Sequence, residues 1–254
     1  MPSAWVAGRF VATEHAISAL DPTFQSGFGV FETLGAVALR LPLWEQHVTR
    51  LARGARLLGL PLPDFAPARV AASELLERNA HAGQIVRMTL GPGGLCITTR
   101  ERGSRAPVRL VRAEIAREGA DPLATIKCTS RAYYELVRAR AQAAGADDAV
   151  VVDRADHVLE TTVGNLLWTA EGEWRTPAVN GAFLPGIARA VLLAGLAARG
   201  LPVREVRATF AGLGAADAIF VTNAVHGARP ATLAGGPAPE SDQILDEIWT
   251  RALD

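Results

Sequence analysis

Lys127 is the one lysine in this chain of 254 residues, where the other 25 of the 26 basic residues are arginine. It stands in Ile126-Lys127-Cys128-Thr129-Ser130-Arg131. Arginine can take over most surface work of lysine, including solvation, weak ion pairs and charge near helix C-termini. It cannot release a proton near neutral pH or form an imine with a carbonyl compound, and those two reactions make lysine a catalyst. A sequence that has exchanged its replaceable lysines points to Lys127 as a covalent or acid–base residue. Chance survival in an arginine-rich composition is the competing explanation.

Other reactive types give weaker signals. Cys96 and Cys128 are too few for a disulfide framework or a thiolate site, and no histidine stands at metal-ligand spacing, so no metal is expected. His47 and His226 have no carboxylate or serine spaced to complete a triad. Gly91-Pro92-Gly93-Gly94 lacks the lysine and helix that would make it a phosphate loop. Acidic and basic residues balance at 26 each without like-charge runs, giving no electrostatic reason to expect nucleic acid or an anionic membrane as partner. The N-terminus has no basic segment leading into an apolar one, and the longest apolar run, 190–198, is too short for a bilayer. A soluble, cytoplasmic protein acting on a small molecule is expected.

The elements around Lys127 read as an α+β chain. A hairpin turns at Ala7-Gly8, a strand covers 30–37, and helices cover 43–58 and about 67–80. Strands follow at 84–90 and 108–111, closing a first domain over 1–115. The polar stretch 116–122 is the candidate linker to a larger domain, 123–254. There a short strand, 123–127, would deliver Lys127. A helix at 132–144 and strands at 148–153, 157–160 and 164–168 come next. Leu184-Pro185-Gly186 opens a helix running to Gly200, strands lie at 203–206 and 218–222, and Ser241 caps a closing helix to Leu253.

Lys127, then Glu160 in Val158-Leu159-Glu160-Thr161-Thr162-Val163-Gly164-Asn165, then Leu184-Pro185-Gly186-Ile187-Ala188-Arg189, resembles the class IV, D-amino-acid-aminotransferase-like family of pyridoxal-phosphate enzymes. Glu45-Gln46-His47-Val48-Thr49-Arg50-Leu51 ahead of the lysine fits the same order, and the likeness runs from about Gly8 to Pro230. It implies fold type IV, with a smaller N-terminal α/β sandwich and a larger, mixed, β-barrel-like domain with helices. It implies pyridoxal 5'-phosphate held by Lys127 as a Schiff base, and Glu160 facing the ring nitrogen. Arg50, the backbone amides of Ile187 and Ala188, and the Asn223-Ala224 loop would bind the phosphate. Asn165 reads as a structural hydrogen-bonding residue. A homodimer is the family habit.

Within that family two reactions compete: transamination of branched-chain or D-amino acids, and elimination of pyruvate from 4-amino-4-deoxychorismate to release p-aminobenzoate for folate synthesis. Phe31-Glu32-Thr33, Arg131 four residues after Lys127, and Asn223-Ala224 are similar to the lyase pattern, with Thr33 on the substrate side and a partner in proton handling. Phe28, Gly35 and Ser130 depart from that pattern, and Leu90 and Leu95 stand at loop positions where lyases often carry arginine. Arg131, Arg87 and Arg100 are the cations left to bind substrate carboxylates, Arg131 first among them. A member that binds cofactor without turnover is the remaining alternative.

Overall fold

The computed structural model describes residues 2–80, 84–118, 121–233, 236 and 239–254. The chain forms two compact units, one made of residues up to Ser104 with Ile126–Arg131, the other of Arg105–Thr125 with Ala132–Ala252. No helix among the described residues is long and apolar enough to cross a membrane.

In the first unit the hairpin β1 (Ser3–Val6) and β2 (Arg9–Ala12) is followed by a short helix α1 (Pro22–Ser26), strand β3 (Val30–Gly35), helices α2 (Trp44–Leu57) and α3 (Ala66–Arg78), and the hairpin β4 (Ile85–Gly91) and β5 (Gly94–Arg100). The strands form one antiparallel sheet in the order β2-β1-β5-β4-β3. Alternation sorts its residues. Val86, Met88 and Leu90 join Leu51, Leu75 and Leu76 of the helices in the core, so Arg87 and Thr89 fall on the other face. Leu90 and Leu95 are not on a loop: they oppose each other across the hairpin and are buried in this core. An arginine at either position would be driven into the hydrocarbon rather than toward a substrate.

The second unit contains β6 (Val108–Arg112), α4 (Ala132–Ala143), β7 (Asp148–Val152), β8 (Val158–Thr161), β9 (Asn165–Ala170), β10 (Glu173–Pro177), α5 (Ile187–Ala197), β11 (Val203–Val206), α6 (Phe210–Gly214), β12 (Ala218–Asn223), β13 (Gly227–Leu233) and α7 (Gln243–Leu253). Its strands form a mixed sheet of eight, β11-β10-β9-β12-β13-β6-β7-β8. This pairing of a small antiparallel sheet with a larger mixed one is the α+β architecture expected.

Several details differ from expectation. The chain passes between units at Ser104/Arg105 rather than within 116–122, and β6 belongs to the second sheet, parallel to β7 and β13. Residues 119 and 120 lie outside the described residues, but Arg117 already pairs beside the second sheet, its N–H donating to Val152 O at 2.8 Å. The expected strand 123–127 is a 3-10 turn, Pro122–Thr125, because proline starts a turn more readily than it joins a ladder. Lys127 is then carried by the first unit. Phe31 N donates to Lys127 O at 2.8 Å, Cys128 bridges to Val30, and Thr129 N donates to Gly29 O at 2.9 Å. Strands β8 and β9 do not pair with each other; β8 pairs with β7, and β9 lies between β10 and β12. Helix α7 is capped one residue later than expected, Asp242 accepting from Leu245 N at 2.9 Å.

Candidate functional site

The first unit places Lys127 over an aromatic ring. Its Nζ lies 4.7 Å from the centre of Phe31, with the Arg87 guanidinium 3.8 Å and that of Arg131 5.8 Å from the same ring. Thr33 is directly across from Arg87 in the β3/β4 ladder, two residues from Phe31 and so on its face. The quadrupole of a phenyl ring attracts each cation. Together the three raise the local positive potential, which favours an anionic partner.

Behind this face Glu32 points toward the helices and is fully buried. Arg50 Nε donates to Oε1 and Nη2 to Oε2, both at 2.7 Å, and His47 Nδ1 lies 2.7 Å from Oε2. His47 and Arg50 are three apart on α2 and therefore share a helix face. Burial would raise the Glu32 carboxyl, but the Arg50 charge and the hydrogen bonds from Arg50 and His47 overcome it and hold it at about 2. Burial pushes His47 down, with the Arg50 and Lys127 charges adding to it against Glu32. A neutral imidazole facing a carboxylate must carry its proton on Nδ1. The expectation that no carboxylate serves His47 is thus corrected: Glu32 does, from a strand 15 residues away. Arg50, expected at a phosphate, has its Nε and Nη2 edge committed to Glu32.

In the second unit Glu160 is buried on β8, where Tyr134 Oη donates to its Oε1 at 2.6 Å. Sequence reasoning missed Tyr134; its place in the first turn of a helix beginning just after Arg131 was the available signal. Ile187 and Ala188 form the first turn of α5, whose N–H groups no carbonyl of the helix can reach. Gly186 precedes them with room for no side chain, since a Cβ there would lie 2.0 Å from Asn165 Oδ1. Asn165 in turn donates Nδ2 to Leu184 O at 2.9 Å, the structural use expected of it. A bare backbone at a helix N-terminus, held open in this way, fits a phosphate group. Asn223 ends β12 and spends its Oδ1 on the N–H groups of Val225 (3.1 Å) and His226 (3.0 Å), so its side chain shapes the turn after Ala224.

A small antiparallel sheet in one unit and a larger mixed sheet in the other, with one lysine on the first and a helix N-terminus and buried glutamate on the second, define a fold IV transaminase architecture. It is shared with a fold IV transaminase from Curtobacterium pusillum at a TM-score of 0.83 and 26% identity, covering 96% of this chain and 91% of that one. The model of the amino-transferase class IV family matches residues 29–234, and the chain belongs to that family of enzymes. Among curated relatives, the aminodeoxychorismate lyase of Vibrio harveyi is 28% identical, covering 91% of this chain and 92% of the relative. The D-alanine aminotransferase of Bacillus licheniformis is 25% identical, with coverage of 95% and 93%.

Proposed function

We propose that this enzyme uses pyridoxal 5'-phosphate to cleave 4-amino-4-deoxychorismate into p-aminobenzoate and pyruvate. The observation that carries the choice is the cation face on Phe31. The substrate bears two carboxylates, and Arg87 and Arg131 flank the same ring as Lys127. The likeness to the Vibrio harveyi lyase over nearly the full length supports it.

When bound, the cofactor supplies an aldehyde and a protonated pyridine ring that accepts the electron pair left by proton removal. From the first unit, Lys127 Nζ would be the amine that holds it and would carry the substrate proton, with Thr33 assisting. Arg50, oriented by Glu32, would donate to the phosphate, and Arg87 and Arg131 would orient the substrate carboxylates. From the second unit, Glu160 would keep the ring nitrogen protonated, and the N–H groups of Ile187 and Ala188 with the turn at Asn223 and Ala224 would receive the phosphate.

Purified enzyme given 4-amino-4-deoxychorismate should release p-aminobenzoate and pyruvate in equal amounts. Transamination of D-alanine or a branched-chain amino acid without that release would instead support the reading favoured by the Bacillus licheniformis relative. Cofactor binding with neither reaction would mark a member without turnover. Lys127→Ala should abolish the visible absorbance that borohydride bleaches in the wild type, and lower the rate by about 10³-fold or more. We take the working form as a homodimer, because Ile17, Leu20 and Phe24 leave an apolar stretch 51%, 79% and 66% exposed. Light scattering should give twice the 26.8 kDa of the chain.

A further inference from the structure

We infer that Tyr134 is a positioning residue for Glu160 and that Arg117 aims it; this rests on the reading of Glu160 as the ring-nitrogen partner. The phenol has a single hydrogen. Arg117 Nη1 donates to the Tyr134 oxygen, and a guanidinium has no lone pair with which to accept. The hydrogen must therefore point at the other partner, Glu160 Oε1, 2.6 Å away. One donor arriving at the phenol oxygen and one acceptor taking its hydrogen restrict the rotation a lone phenol would keep.

The arrangement is closed on itself. Arg117 Nη2 is held by Asp121 Oδ2 at 2.8 Å, and its backbone N–H by Val152 O on β7. Strand β7 is the ladder partner of β8, with Val151 across from Glu160. The Tyr133 ring stands edge-on to Tyr134, centroids 5.4 Å apart at 78°, and its own hydroxyl donates to Ile115 O at 2.6 Å. Helix α4 and strands β7 and β8 thus fix the phenol from three sides. The phenol hydrogen bond anchors Oε1 of Glu160 and narrows the orientations open to its carboxylate. The Arg117 charge acts on it through the Tyr134 hydroxyl, a donor that orients the carboxylate without itself being its counter-charge.

Tyr134→Phe removes the hydroxyl while keeping the ring packed beside Leu159 and Phe183. The measurements are the affinity of the apoprotein for pyridoxal 5'-phosphate by fluorescence quenching, the pH titration of the bound cofactor's absorbance, and the melting temperature of the apoprotein. The expected result is affinity lower by about tenfold and a titration midpoint moved to lower pH, with the melting temperature nearly kept. Arg117→Met should move the midpoint the same way, and Arg117→Lys, which keeps a charged donor, should restore part of it. Should Tyr134→Phe fail to fold, the two Arg117 variants carry the test. Wild-type affinity and midpoint in Tyr134→Phe and Arg117→Met, alongside a shifted Glu160→Gln, would overturn the positioning role. Wild-type values in Glu160→Gln as well would overturn the reading of Glu160 itself.

Discussion

Two buried glutamates, one in each unit, are held in opposite ways. Glu32 is gripped by both donors of one edge of an arginine and by a histidine, so its charge is cancelled where it stands. Glu160 receives a phenol, a donor that orients a carboxylate without neutralising it. A carboxylate paired to a guanidinium inside the protein has little left to offer a ligand; one held by a hydroxyl can still stabilise a cation that arrives later. Burial alone therefore does not decide use. Glu32 sets the position of Arg50 and His47, whereas the proposed function gives Glu160 the ring nitrogen to hold.

The largest expected effect tests the first half of that contrast. Glu32→Gln leaves the Arg50 guanidinium buried without its counter-charge, which should cost about 3–5 kcal/mol of folding stability in urea unfolding. A loss below about 1 kcal/mol would mean that Arg50 relaxes to solvent and that the pair is not structural. Glu160→Gln should do the reverse. Its fold should survive with a smaller loss, about 1–3 kcal/mol, while kcat falls by about 10²-fold or more as the ring nitrogen loses its partner. Equal stability losses in the two variants would erase the distinction.

The elements were legible where local chemistry decides them. Proline and glycine bracket α2, alternation exposes β4 and in part β3, and an unbroken apolar run exposes β7. Three strands, β5, β10 and β13, escaped because their signals are weak out of context. Pro230 argues against a strand at β13, yet it sits opposite Phe220 one residue before pairing with β6 begins at Ala231, where its missing N–H costs no ladder bond. The lysine stood out in the composition, but not its unit, because the bonds of 127–129 to β3 and its approach join segments about 100 residues apart. The same distance problem hid the side-chain partners. A buried strand advertises that Glu32 needs a cation without naming His47, and nothing near β8 names Tyr134, 26 residues upstream of Glu160.

The smallest effect is also the one that most sharpens the contrast, since it reads the Glu32 cluster through protons alone. In the folded chain Glu32 titrates at about 2 against an ordinary 4.5. His47 is likewise pushed below its ordinary 6.5. Both shifts mean that the unfolded chain binds protons the folded one refuses, so stability falls as pH drops. The His47 contribution is lost from about 6.5 downward, and that of Glu32 is complete above about 4.5 and lost toward 2. Other carboxylates titrate in the same range, so the informative quantity is the wild type minus Glu32→Gln. Measured by urea unfolding, that difference should hold level from pH 6 to 5 and shrink between pH 4.5 and 3. His47→Gln should flatten the wild-type slope above pH 5 instead. A difference between wild type and Glu32→Gln that stays level down to pH 3 would place the Glu32 carboxyl near its ordinary value. The grip of Arg50 and His47 would then be no stronger than that of a surface pair.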